Sequence, residues 1–246
     1  MKRYSLWLVK RSHACGVWRS IAVGLIMVVF FIATVPASAA DDALEARQLV
    51  EKAQLTMEGF AVDPNMGAVR DLLATAKGVF IAPQVLKGAF ILGASGGSGV
   101  FLARQESTKQ WSEPAFYTLG GVSFGLQAGG EASEVVLLVM SERGVSALLG
   151  NNFKLGADAS IAVGPVGAGV AGATAALSAD IVSFSRAQGL YGGISVDGSV
   201  IAVREGWNSA YYGKSVTPTD ILVRRAVSNP HAAGLIAAVT KTASSR

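Results

Sequence analysis

Residues 79–104 read VFIAPQVLKGAFILGASGGSGVFLAR. Short apolar runs, Val79 to Ile81, Ala89 to Leu92 and Val100 to Arg104, are separated by glycine and serine. β-Branched and aromatic residues favour strands, and glycine punctuates them. The pattern continues outward to residue 203. Further strands are expected at Glu134 to Met140, Leu155 to Val163, Ile181 to Ser185 and Ile194 to Val196. Leu155, Ala157, Ala159, Ile161 and Val163 alternate strictly, as a half-buried strand does. Val196-Asp197-Gly198-Ser199 predicts a two-residue hairpin turn.

Helical patterns flank this region. Between Asp41 and Phe60 the residues Ala46, Leu49, Val50, Ala53, Met57 and Phe60 fall on one helical face. Asp63-Pro64 predicts the cap and first position of a second helix, with Met66, Val69, Leu72, Leu73 and Ala76 apolar. Ser141 predicts the cap of a short helix among the strands, with Val145, Leu148 and Leu149 inward. Thr217-Pro218-Thr219-Asp220 has the form of a capping box, and Asn229-Pro230 opens a final helix carrying Leu235, Ile236 and Val239. The fold class is therefore α+β: a Gly-rich antiparallel or mixed β-sheet core flanked by N- and C-terminal helices.

Charge divides the chain. Residues 1–40 hold five of the 21 basic residues and none of the 17 acids, which leaves 16 against 17 beyond them. The basic balance thus belongs to the leader and gives no support for nucleic-acid binding. The leader has a basic segment ending at Arg19, an apolar run from Ile21 to Val35, and small residues before Ala39 and Ala40. This predicts a secretory signal over residues 1–39, cleaved after Ala39 or Ala40, and a single domain over 40–246 in the periplasm or envelope. An uncleaved membrane anchor is the other reading of the same stretch. Cys15, the one cysteine, lies in the leader, so beyond it no disulfide, cysteine ligand or thiol nucleophile is available.

Motifs for chemistry are sparse. Residues 167–172 match G-x-G-x-x-G, but the ATAALSAD that follows makes a weak helix for a dinucleotide site, and a closely packed Gly/Ala-rich strand pair is the reading preferred. Residues 93–97 and 121–125 match G-x-S-x-G. A serine hydrolase could use Ser95 or Ser123 with Asp197 or Asp220 and with His231, the one histidine outside the leader. Neither serine stands in the alternating β and α context of a nucleophile elbow. One histidine and scattered carboxylates make no metal set, and no cofactor is indicated. Glu131 and Glu134 read as a solvated pair. The cluster Trp207, Tyr211 and Tyr212 reads as core, with an interfacial role as the alternative.

An ordered series of segments carries a resemblance. It runs through Lys77 to Pro83, Gly96 to Val100, Trp111 to Phe116, Phe124 to Glu131, Leu155 to Asp158, Gly164 to Gly167, Gly189 to Gly193, Val196 to Ser199, Tyr212-Gly213 and Ile221-Leu222. Over roughly residues 45–225 the chain resembles the SYLF domain family, found in eukaryotic membrane-trafficking and actin-patch proteins and in exported bacterial proteins. The resemblance implies a non-catalytic module that binds phospholipid of the phosphoinositide type. An exported member would work on a phospholipid surface of the cell envelope and would not meet actin. The family's lipid contact is linked to an amphipathic N-terminal helix and to basic residues, which here are Arg47, Lys52, Lys77, Lys87 and Arg104. An envelope structural or assembly protein with a protein partner is the main alternative, and the serine hydrolase is the second.

Overall fold

The computed structural model describes residues 39–89, 92–124, 129–164, 178–187 and 196–245. Residues 1–38 of the expected leader, the G-x-G-x-x-G stretch at 167–172 and most of the strand expected at 194–196 lie outside them.

Eight strands form one sheet: β1 (Gly78–Ala89), β2 (Leu92–Ala103), β3 (Ala115–Phe124), β4 (Gly129–Val139), β5 (Asn152–Lys154), β6 (Ile161–Val163), β7 (Ile181–Ala187) and β8 (Val200–Val203). Their order is β5-β8-β3-β2-β1-β4-β7-β6. Every pairing is antiparallel except β6 with β7, so the sheet is mixed. The helices are α1 (Ala39–Val62), α2 (Gly67–Leu73), α3 (Glu142–Leu149), α4 (Glu205–Tyr212), α5 (Pro218–Leu222) and α6 (Ala233–Ser244).

Both sheet faces are buried. Val79, Ile81, Val100, Leu102, Val136 and Leu138 pack beneath α1, α2, α4 and α6. The intervening residues Phe80, Phe101, Val135, Leu137 and Val139 pack with Leu148, Phe153, Ile201, Ile221 and Leu222 on the other side. Burial on both faces explains why the central strands read as continuous apolar runs rather than alternating ones.

The predicted caps form. Asp63 accepts from Asn65 N, Ser141 from Gly144 N and Asn229 from His231 N, and Thr217 with Asp220 closes a capping box. At Asp63 and Asn229 the first turn is a 3-10 turn before the α-helix proper. Asp197-Gly198 makes its turn, with Gly198 at φ 78° and Ser199 N donating to Val196 O at 3.0 Å.

The expected strand over Leu155 to Val163 is mostly a turn. Ala157 N and Asp158 N donate to Lys154 O, and the Asp158 carboxylate accepts from Lys154 N at 2.7 Å. Leu155 and Ala159 both point into the core, as their spacing implied, but they bracket a turn, and only Ile161–Val163 is strand.

The central strand holds a proline. Ile81 pairs with Val100 but Gln84 with Ser98, and Ala82 pairs with Val135 but Val85 with Ser133. Three steps on β1 therefore match two on each neighbour, which is a bulge at Pro83. Proline lacks the N–H that a central ladder requires, and a bulge is one of the few places a sheet accepts it.

Candidate binding surface

α1 rests on the sheet through Ala46, Leu49, Val50, Ala53, Met57 and Phe60, all buried. That stripe is core, and no membrane can reach it in the folded protein. The opposite face of α1 carries a different row. Leu44, Leu55 and Val62 are 56%, 65% and 82% exposed. Their intervals of eleven and seven residues return each to within about 20° of one bearing, so they line up over about 27 Å of helix. Glu51, seven residues after Leu44, is exposed on the same bearing between Leu44 and Leu55, and Arg47, Lys52 and Glu58 are exposed to either side. Among the described residues, no helix is long and apolar enough to cross a membrane.

Beside α1 lies an open groove. One part, of about 630 Å³, is lined by Lys52, Leu55, Thr56, Gln84, Glu134 and Arg186 among others. A second part, of about 320 Å³, shares Lys52, Pro83 and Gln84 and continues to Leu86, Gly97 and Trp207. The bulge shapes its floor: after Pro83 the register shift turns Gln84 and Leu86 toward α1. Leu86 is 56% exposed there.

The polar end of the groove is held by Arg186. Its Nη2 and Nε reach Glu134 Oε2 at 2.5 and 2.7 Å, and its Nη1 lies 3.6 Å from Asp63 Oδ2. Its guanidinium carbon stands 5.1 Å from the centre of the Phe60 ring, and Thr56 donates to Glu134 at 2.9 Å. Glu134 is therefore an ion-pair partner, not half of a solvated pair with Glu131, which lies opposite Lys87 on β4. The other end is closed by Trp207, whose Nε1 donates to Asp42 at 3.1 Å under the Arg204 guanidinium, 3.5 Å from the ring centre.

The five cations singled out in the sequence do not form one patch. Lys77 pairs with Glu106 and with Glu142, and hydrogen bonds to these carboxylates, Glu106 first, hold its ammonium above its ordinary pKa. Arg104 donates to Ala74 O and Lys109 O. These two lie at one end of the sheet. Lys87 lies ten residues further along β1, about 30 Å away, while Lys52 lines the groove and Arg47 lies on the outer side of α1. Ala39 and Ala40, at the expected cleavage point, are the first residues of α1 and are exposed.

The hydrolase constellation is not assembled. Ser95 lies inside β2 and its hydroxyl donates to Gly121 O at 3.5 Å. Ser123 lies inside β3, opposite Gly93. Both ring nitrogens of His231 are engaged elsewhere, Nε2 with Glu51 at 3.1 Å and Nδ1 with Tyr211 at 3.3 Å. Asp220 is committed to the capping box and to Arg224. Trp207 and Tyr211 are core residues of α4, so an interfacial role for them is excluded by burial. Sequence reasoning missed α4 as a helix, because Arg204 provides no side-chain cap.

Comparison with known proteins gives a consistent result. The model of the Ysc84 family, described as "Las17-binding protein actin regulator", matches residues 120–242. The human SH3 domain-containing YSC84-like protein 1 is 35% identical over 153 residues, which is 61% of this chain and 44% of that protein. Protein YSC84 of Saccharomyces cerevisiae is 33% identical over 170 residues, 67% of this chain and 36% of that protein. The chain thus spans less than half the length of these curated relatives.

Proposed function

Because the chain belongs to the Ysc84 (SYLF) family, we propose that it is a non-catalytic binding domain that attaches reversibly to a phospholipid surface outside the cytoplasm. The observation that carries this reading is the exposed row Leu44, Leu55 and Val62 on the outer side of α1. A helix that keeps one apolar face for the core and presents Leu44, Leu55 and Val62, with Glu51 among them, to solvent is suited to a shallow, weak contact with an interface. Fully burying one such side chain is worth about 1.5–3 kcal/mol, so partial insertion of three gives weak attachment. On α1 the cations Arg47 and Lys52 are outnumbered by Asp41, Asp42, Glu45, Glu51 and Glu58, so the attachment rests on the apolar side chains more than on attraction to an anionic surface. The basic leader with its small-residue end supports export. N-terminal sequencing of the envelope-bound protein is expected to begin at Ala40 or Asp41.

Liposome flotation tests the reading. Leu44→Ser with Leu55→Ser is expected to reduce flotation at least tenfold with little change in Tm. If the wild-type protein floats with neither anionic nor neutral liposomes at low salt, the lipid reading is wrong.

A protein partner is the second reading. The family description, Las17-binding actin regulator, favours it, and the groove beside Pro83 offers both apolar and polar lining to such a partner.

A further inference from the structure

Among the described residues, two other than glycine hold a left-handed backbone, Lys109 at φ 59° and Arg225 at φ 52°. Glycine takes this conformation freely, and a side chain does not. A cation occupies both positions, and the two positions meet. Lys109 closes the connection between β2 and β3, where Gln105 N donates to Gln110 O and Lys109 N to Gln105 O, both at 2.9 Å. Arg225 follows α5. Its Nη2 donates to Gln110 O at 2.9 Å and its Nη1 to Trp111 O at 3.5 Å. Arg104 donates through Nε to Lys109 O at 3.3 Å and through Nη1 to Ala74 O at 2.6 Å, with its guanidinium carbon 5.5 Å from the Trp111 ring centre. Three consecutive carbonyls, 109 to 111, are thus taken up by two guanidinium groups.

These bonds fix the guanidinium groups without neutralising them. Arg104, Lys109 and Arg225 form no ion pair within contact distance among the described residues; Glu106 is paired with Lys77 and also faces the Lys109 charge, and Asp220 is paired with Arg224. Lys214 adds a fourth charge, donating to Ala226 O beside Arg225 at 3.2 Å. A guanidinium has five N–H donors; each arginine spends two on carbonyls, so three remain on each.

We propose that Arg104, Lys109 and Arg225 form a binding site for a phosphate monoester. A dianion with several acceptor oxygens matches two positioned guanidinium groups and an ammonium, through charge-assisted hydrogen bonds. The site is separate from the outer row of α1 and does not depend on it. The phosphate can be carried by a lipid headgroup or by a soluble ester, which share this chemistry.

Titration of the purified chain with inorganic phosphate at low ionic strength, followed by amide chemical shifts, tests the site. Saturable binding is expected, with the largest shifts at residues 104–111 and 224–226. Lys109→Gly with Arg225→Gly removes two cations and leaves both backbones unstrained. It is expected to weaken binding at least tenfold without loss of the folded spectrum. If the double variant does not fold, Lys109→Gly alone decides, with a weakening of about threefold expected. No saturable binding by the wild type, or unchanged affinity in the variant that folds, overturns the proposal. Flotation with phosphatidylcholine vesicles containing phosphatidic acid identifies the source. Flotation lost in the variant assigns a lipid headgroup. Flotation retained while inorganic phosphate binding is lost assigns a soluble ester, and leaves membrane attachment to α1.

Discussion

Gly97 faces the carbonyl oxygen of Gln84 so closely that a β-carbon on Gly97 would stand 2.3 Å from it. The bulge at Pro83 pushes the β1 backbone toward β2, and only a residue without a side chain fits opposite. A β-carbon there would also lie 3.1 Å from Val85 Cα, and neither obstacle is the end of a flexible side chain. Overpacking of this kind costs typically 1–3 kcal/mol. Gly97→Ala is expected to lower stability by at least that amount in urea unfolding. Gly96→Ala, where the nearest obstacle is 3.9 Å away, is expected to change it much less.

Phe60 separates the two faces of α1. It is fully buried and stacks under Arg186, so Phe60→Ala is expected to cost about 3–5 kcal/mol. The protein that remains folded is expected to float with liposomes as before. A loss of flotation at unchanged stability would mean that the inner face, not the outer row, meets lipid.

Glu134 holds Arg186 by two short hydrogen bonds with both side chains mostly buried. Hydrogen bonds to charged groups are worth about 1.5–3 kcal/mol, and Glu134→Ala is expected to fall in that range. Glu51→Ala breaks a contact whose carboxylate is 66% exposed, and the expected loss is under about 1 kcal/mol. Equal losses in the two variants would show that Arg186 finds another partner.

Two carboxylates give opposite pH dependence. Burial raises the pKa of Glu113, and Oε2 of this side chain is buried without a hydrogen-bond partner. The folded state then holds its proton more tightly than the unfolded chain, so stability falls as pH rises through the interval above the ordinary carboxylate value. Asp220 runs the other way. Hydrogen bonds from Thr217, with help from Arg224, lower it from 3.8 to about 2. Its contribution is present above 3.8 and is lost as pH falls toward 2. Glu113→Gln is expected to raise Tm at pH 7 more than at pH 4. Asp220→Asn is expected to flatten the acid limb, and thermal scans across pH check both.

Local signals made much of the frame legible. Asp63, Ser141, Thr217 and Asn229 cap as their spacing to the next apolar residues required, and the buried stripe of α1 was readable to the residue. The direction of that stripe was not, because a helical face looks the same whether a sheet or a membrane covers it. Of β1 only Val79 to Ile81 was read as strand, since the bulge at Pro83 reverses the inward and outward alternation beyond it, and the run expected at 89–92 spans the end of β1 and the start of β2, with residues 90 and 91 outside the described ones. The groove was hidden for a different reason. Glu134 meets Arg186 across 52 residues and Thr56 across 78, and no spacing rule reaches that far. The cluster at Lys109 was hidden by backbone conformation, which composition does not reveal at a non-glycine position.

His231 reaches from the turn before α6 to Glu51 on α1, a span of 180 residues, and Leu235 and Val239 of α6 complete the layer over α1. Of the described helices, the one nearest the N-terminus is therefore covered by the one nearest the C-terminus. A chain emerging N-terminus first, from a ribosome or through a narrow pore, has α1 in hand but not the surface that seals it. Sealing depends on contacts of very long sequence separation, which form slowly. Until α6 arrives, the apolar side of α1 is open to chaperones and to aggregation. Truncation within the last dozen residues would thus prolong that exposed interval far more than its small share of the mass implies.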